Sequence, residues 1–135
     1  MDIINKEKKY KILFVEDEPS FQEIFKSALE KNNRYRVIQA FDGEEGFKRA
    51  REEKPDLILL DLVLPKKSGF EVLKDLKEDK DLSAIPVVVL TNLESGGDIE
   101  KTTSLGAKAY LIKADYSLDE ITSRIEKIIK DCIPE

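Results

Sequence analysis

The sequence contains no histidine and no tryptophan, and only one cysteine and one methionine. Without histidine it lacks the usual general base and the commonest transition-metal ligand. With a single thiol, Cys132, it cannot close an internal disulfide, which fits a reducing compartment. Chemistry is left to carboxylates, hydroxyls and amines. No apolar run approaches the roughly 20 residues needed to span a bilayer, and the opening "MDIINKEKKYK" has none of the apolar stretch of a secretory signal. There is no basic excess either. The formal net charge is −5 and the pI near 5.0, whereas a nucleic-acid surface needs a basic stripe. The expectation is a cytoplasmic chain with no direct nucleic-acid contact and no membrane insertion.

What is present suits one domain. The 135 residues are 41% hydrophobic and 38% charged, enough to bury roughly two-thirds of the unfolded surface. Five short apolar runs stand out: 11–15, 35–40, 56–60, 86–91 and 109–113. Several are apolar at consecutive positions, as in strands covered on both faces. Between them lie segments of helical spacing, with Phe21, Ile24, Phe25, Ala28 and Leu29 as one stripe and Ile121, Ile125, Ile128 and Ile129 as another. Pro19 suits a first helical turn. Asp42 to Glu45, Ser68 to Glu71 and Ser117 to Glu120 have capping-box spacing. The pattern predicts an α/β, flavodoxin-like (βα)5 fold, a five-stranded parallel sheet in order 2-1-3-4-5 with helices on both faces. Residues 1–9 read as a flexible N-terminal tail, 10–131 as the domain, with no effector domain. The segment 95–106, "SGGDIEKTTSLG", is rich in poor helix formers and reads as a helix of low local stability.

In an open parallel sheet, ligands bind beyond the carboxyl ends of the strands. Here those ends carry Glu16, Asp17 and Glu18 after the first strand, Asp61 after the third, Thr91 after the fourth and Lys113 after the fifth. Asp61 is embedded in "LILLDLVLP", among seven aliphatic residues, where an unpaired charge is costly. Each residue alone has an ordinary explanation, such as a helix cap or a turn. All of them on one rim point to a built site. Lys113 alone cannot offset three or four acids. A divalent metal with hard oxygen ligands closes the deficit, and with no histidine present Mg²⁺ is the natural choice. Magnesium held this way goes with phosphate chemistry.

From about Tyr10 to Ile129 the chain resembles the receiver domain of two-component response regulators. The resemblance rests on "ILFVEDEP", "LILLDLVLPKKSG", "VVVLT" and "GAKAYLIK", with Pro65 four and Gly69 eight residues after Asp61. It implies a single-domain signalling protein, not an enzyme except toward its own phosphorylation and dephosphorylation. Asp61 would take a phosphoryl group from a sensor histidine kinase or phosphotransfer protein. Glu16, Asp17, Asp61 and the Val63 backbone carbonyl would hold Mg²⁺, with Asp17 the more direct ligand and Glu16 acting through water. Thr91 and Lys113 would meet phosphoryl oxygens, and Tyr110 would change rotamer as Thr91 moves. A downstream protein would be met through the face of the fourth helix, fifth strand and fifth helix.

The sequence departs from that pattern in places. Ala114 follows Lys113 where the family usually has a proline in a cis bond, so this loop is expected to be built differently. Asn92 follows Thr91 where a small residue is usual, and it could hinder access to Asp61. Val63 and Leu93 are apolar where some members position a hydrolytic water, which implies a longer-lived phosphoryl group. These departures keep a second reading open, a receiver-like binding module that signals without phosphorylation. A flavin-mononucleotide carrier would want a Ser/Thr/Gly-rich loop after the first strand, where acidic "EDEP" repels phosphate. A haloacid-dehalogenase-type phosphatase would want its nucleophilic aspartate there, with another acid two residues on; the lone aspartate after the third strand fits the receiver better.

Overall fold

The apolar runs form parallel strands whose side chains alternate between two cores, and this alternation sets the architecture. In the computed structural model, which describes residues 9–93 and 95–133, the chain runs β1 (Tyr10–Val15), α1 (Pro19–Glu30), β2 (Tyr35–Ala40), α2 (Gly43–Glu53), β3 (Leu57–Leu60) and α3 (Gly69–Glu78). It continues through β4 (Val87–Thr91), α4 (Gly96–Ser104), β5 (Ala109–Ile112), a 3₁₀ turn (Lys113–Asp115) and α5 (Leu118–Cys132). The sheet order is β2-β1-β3-β4-β5, all parallel, as the sequence predicts. Ile12, Phe14, Leu57 and Leu59 face Phe25 and Leu29 of α1 and Ile121, Ile125 and Ile129 of α5. Leu13, Val15, Ile58 and Leu60 face Ala50 of α2 and Val72, Leu73 and Leu76 of α3. Burial on both faces explains why β3 and β4 read as unbroken aliphatic runs. The expected tail falls, apart from Lys9, outside the described residues, and no helix among those described is long and apolar enough to cross a membrane.

The helix starts follow the cap chemistry. Pro19 opens α1, and Ser68 and Ser117 each form a complete capping box with Glu71 and Glu120. Asp42 accepts from the Glu45 N–H as expected, but the Glu45 carboxylate turns to the Phe41 N–H at 2.7 Å instead of closing the box. The 9-residue α4 buries only Thr102, and the hydroxyls of Thr102 and Thr103 donate to carbonyls one turn back. The expected weakness of this segment has that local cause.

The α1 stripe needs correction. Ile24 is 53% exposed, while Gln22 is fully buried. The Gln22 Nε2 donates to the carbonyls of Phe14, Glu16 and Ala40 at 2.9–3.0 Å, at the point where β1 and β2 run out of sheet partners. Apolar periodicity cannot find such a residue, because its burial rests on hydrogen bonds to backbone carbonyls. Asp61 lies just past β3 as expected, whereas Lys113, the last residue of the apolar run 109–113, opens the 3₁₀ turn beyond β5.

Candidate functional site at the carboxyl rim of the sheet

Because β1 and β3 pair with Val15 opposite Leu60, the residues that follow them emerge side by side. Glu16 is 1% exposed and Asp61 5%, whereas Asp17 is exposed. One carboxylate oxygen from each of Glu16, Asp17 and Asp61 lies within 4.8 Å of the others. Lys113 reaches in from the far side. Its Nζ donates to Glu16 Oε1 in a short bond and to Asp61 Oδ2 at 3.0 Å, with the Phe21 ring 5.1 Å away. Asp61 Oδ1 accepts from the Val63 N–H at 3.3 Å. The charge of Asp61 among its aliphatic neighbours is thus met by Lys113 and one backbone amide.

The electrostatics remain unbalanced. Three carboxylates share one ammonium. Burial raises the Glu16 pKa above its ordinary value in spite of the Lys113 hydrogen bond. Burial also pulls on Lys113, but the Glu16 bond and the field of Asp61 outweigh it and hold its pKa up. Hard oxygen donors at this spacing, with negative charge to spare, fit a small divalent cation such as Mg²⁺. Both Glu16 oxygens are already engaged, Oε1 by Lys113 and Oε2 by the Glu18 N–H at 2.9 Å. Asp17 is the carboxylate free to face the cleft. Glu18 lines the cleft, but its carboxylate caps α1 by accepting from the Ser20 and Phe21 N–H groups.

The rest of the rim closes a cleft of about 670 Å³ lined by Glu16, Asp17, Asp61, Val63, Thr91 and Lys113, among others. Thr91 is fully buried at the end of β4, and its hydroxyl accepts a long 3.5 Å bond from the Leu93 N–H. Tyr110 does not line the cleft; its hydroxyl donates to the Leu93 carbonyl at 2.8 Å. Val63 is 60% exposed. Ala114 opens no proline turn, and its N–H donates to Asn92 Oδ1 at 3.1 Å. The two departures noted in the sequence therefore touch each other.

Two glycines fix the Asp61 loop. The Gly69 N–H donates to the Leu62 carbonyl, and a Cβ at Gly69 would lie 2.1 Å from the Asp61 carbonyl oxygen. Gly43 at the start of α2 donates to the Pro65 carbonyl, and a Cβ there would lie 1.8 Å from the Lys67 carbonyl oxygen. Neither clash can be relieved by turning a side chain. Gly69→Ala is expected to cost about 3 kcal/mol, at the upper end for overpacking, and to lower the melting temperature by about 10 °C. Thermal denaturation by circular dichroism checks this. Gly43 was not singled out by sequence reasoning, although its place beside the cap residue Asp42 was a usable signal.

Comparison with known proteins places this geometry in context. The family model described as "Response regulator receiver domain" matches residues 12–126. The chain is 41% identical over 120 residues to the alkaline phosphatase synthesis transcriptional regulatory protein PhoP of Bacillus subtilis, covering 89% of this chain and 48% of that protein. It spans about half the length of the first curated relatives it matches. Among solved structures it resembles the phosphorylated cyanobacterial phytochrome response regulator RcpA, with 34% identity, TM-score 0.77 and coverage of 93% and 94% of the two chains. It also resembles the Mn²⁺-bound form of the response regulator Rcp1, with 32% identity, TM-score 0.74 and coverage of 90% and 92%.

Proposed function

The chain belongs to the response regulator receiver domain family of two-component systems, and from that premise we propose that it takes a phosphoryl group onto Asp61 from a sensor histidine kinase or phosphotransfer protein. The observation that carries this reading is the convergence of Glu16, Asp17 and Asp61 with Lys113 bonded to Asp61 Oδ2. An Asp61 oxygen would attack phosphorus, forming the new P–O bond while the donor nitrogen leaves with the electron pair of the bond that breaks. Lys113 would move its ammonium onto one phosphoryl oxygen, and Thr91 would donate its hydroxyl to another. Glu16, Asp17, Asp61 and the Val63 carbonyl would hold Mg²⁺, Asp17 directly and Glu16 through water, consistent with both Glu16 oxygens being engaged. When bound, the ion supplies positive charge against the repulsion between carboxylate and phosphoryl oxygens. The Mn²⁺ bound to Rcp1 and the phosphorylation of RcpA support carrying both features over.

The receiver unit would span residues 10–131 and work in the cytoplasm. Output would pass to a protein partner through α4, β5 and α5, because Tyr110 ties β5 to the Thr91 loop and α4 follows that loop with little burial. Incubation with acetyl phosphate and Mg²⁺, followed by intact mass, tests the proposal. One phosphoryl increment, lost when the metal is chelated, supports it. No increment would favour the module that signals without phosphorylation. Val63 is exposed and apolar at the mouth of the cleft, so nothing there orients a hydrolytic water. Val63→Asn is expected to shorten the phosphoryl lifetime several-fold, and unchanged or slower decay would contradict that role.

A further inference from the structure

We propose that Asn92 is a positioning residue that holds the Thr91 loop in its resting place through the Ala114 N–H, and so sets how readily the site accepts a phosphoryl group. The proposal rests on reading Asp61 as the phosphoacceptor. β4 and β5 are paired with Thr91 opposite Ile112, so the residues just beyond them run side by side. Asn92 follows Thr91, and Ala114 follows Lys113. The 3.1 Å bond between Asn92 Oδ1 and the Ala114 N–H spans 22 residues of sequence and joins the two loops that carry the hydroxyl and the ammonium of the site.

The direction of the effect follows from the order of the strands. β4 lies between β3 and β5. Asp61 follows β3 and Ala114 follows β5, so any shift of the Thr91 loop toward Asp61 is a shift away from Ala114. A displacement of about 0.5 Å carries a 3.1 Å bond past the useful limit for hydrogen bonding. The tie therefore belongs to the resting arrangement and is lost in the engaged one. Among the described residues, few other hydrogen bonds hold this segment. Tyr110 bonds the Leu93 carbonyl, the Leu93 to Thr91 bond is long, and α4 beyond buries only Thr102. With so little packing, one hydrogen bond is a large share of what keeps the loop in place. The device needs the N–H at position 114, which proline lacks.

The test uses the full chain, with Mg²⁺ and beryllofluoride as the phosphoryl mimic. Amide exchange of Ala114 is followed by NMR in the wild type, Asn92→Ala and Asn92→Leu, and beryllofluoride affinity and melting temperature are measured in each. Leucine keeps the bulk of asparagine without its acceptor, so it separates the tie from simple obstruction of the cleft. Expected results are a protected Ala114 amide in the resting wild type, faster exchange in both variants, and faster exchange in the wild type once beryllofluoride is bound. Both variants should bind the mimic about threefold to tenfold more tightly, the worth of one net hydrogen bond, and should melt a few degrees lower, because the same bond is lost from the resting fold. Equal Ala114 exchange in wild type and variants would overturn the proposal, as would unchanged or weaker binding in the variants. Tighter binding in Asn92→Ala alone would assign the effect to bulk and overturn it too. Failure of the phosphoacceptor reading looks different: the wild type would bind no beryllofluoride, or bind it equally well as Asp61→Asn, and the positioning role would fall with it.

Discussion

Asp61→Asn is expected to abolish phosphorylation from acetyl phosphate while leaving the fold at least as stable. Asparagine has the shape of aspartate and keeps a side-chain oxygen to accept from either Lys113 Nζ or the Val63 N–H. What it loses is the anionic nucleophile. It also removes one of three clustered negative charges. Asp61 is among the groups that push the Glu16 pKa up, so its neutralisation relieves a repulsion that the resting fold carries. Intact mass should show no phosphoryl increment, and thermal denaturation a melting point equal to or above that of the wild type. A variant that still takes up a phosphoryl group would place the acceptor elsewhere, and the exposed Asp17 would be the first candidate.

Lys113→Met acts in the opposite sense on stability. Methionine preserves the stem but removes the ammonium that bridges Glu16 and Asp61 and lies over the Phe21 ring. Removing one partner of a buried pair costs about 3–5 kcal/mol. The lower end applies here, because the Lys113 side chain is 17% exposed and water reaches the cleft. Glu16 can escape only by taking a proton. Its folded pKa is already raised by burial and rises further without Lys113. A folded pKa above the unfolded one means that the folded state binds the extra proton. Stability is then full below the ordinary glutamate value and is lost as pH rises through the elevated one. The stability gap between wild type and Lys113→Met should therefore widen on going from about pH 5 to about pH 8 in urea unfolding. A gap that stays constant would show that Glu16 does not feel Lys113. The same variant should slow phosphorylation by about a hundredfold or more, as for other lost charge-stabilising donors.

The fold and the membership of the rim could be read from the chain because both depend on pattern. Unbroken aliphatic runs at β3 and β4 mark strands buried on two faces, and parallel topology then brings Glu16, Asp17, Asp61, Thr91 and Lys113 to one edge whatever their distance in sequence. Features that depend on individual hydrogen bonds could not be read in this way. Gln22 looks like a surface residue until its amide is seen to donate to the carbonyls of Phe14, Glu16 and Ala40. Glu18 looks like part of the acidic site until it caps α1. Asn92 and Ala114 each look like an isolated departure, yet one accepts the other's N–H. Gly69 is legible by its spacing from Asp61, but only the packed loop shows that a Cβ there would strike the backbone of Asp61, and one at Gly43 that of Lys67. Periodicity specifies which face is buried. It does not specify which polar group completes a stranded backbone partner.

The central claim is that the Asp61 side chain carries the phosphoryl group, and trapping it chemically tests that most directly. An aspartyl phosphate is an acyl phosphate, and borohydride reduces it to homoserine at the residue that bore it. After incubation with acetyl phosphate and Mg²⁺, then borohydride and peptide mass analysis, homoserine at position 61 is the predicted result. Homoserine at position 17, at another residue, or nowhere would contradict it.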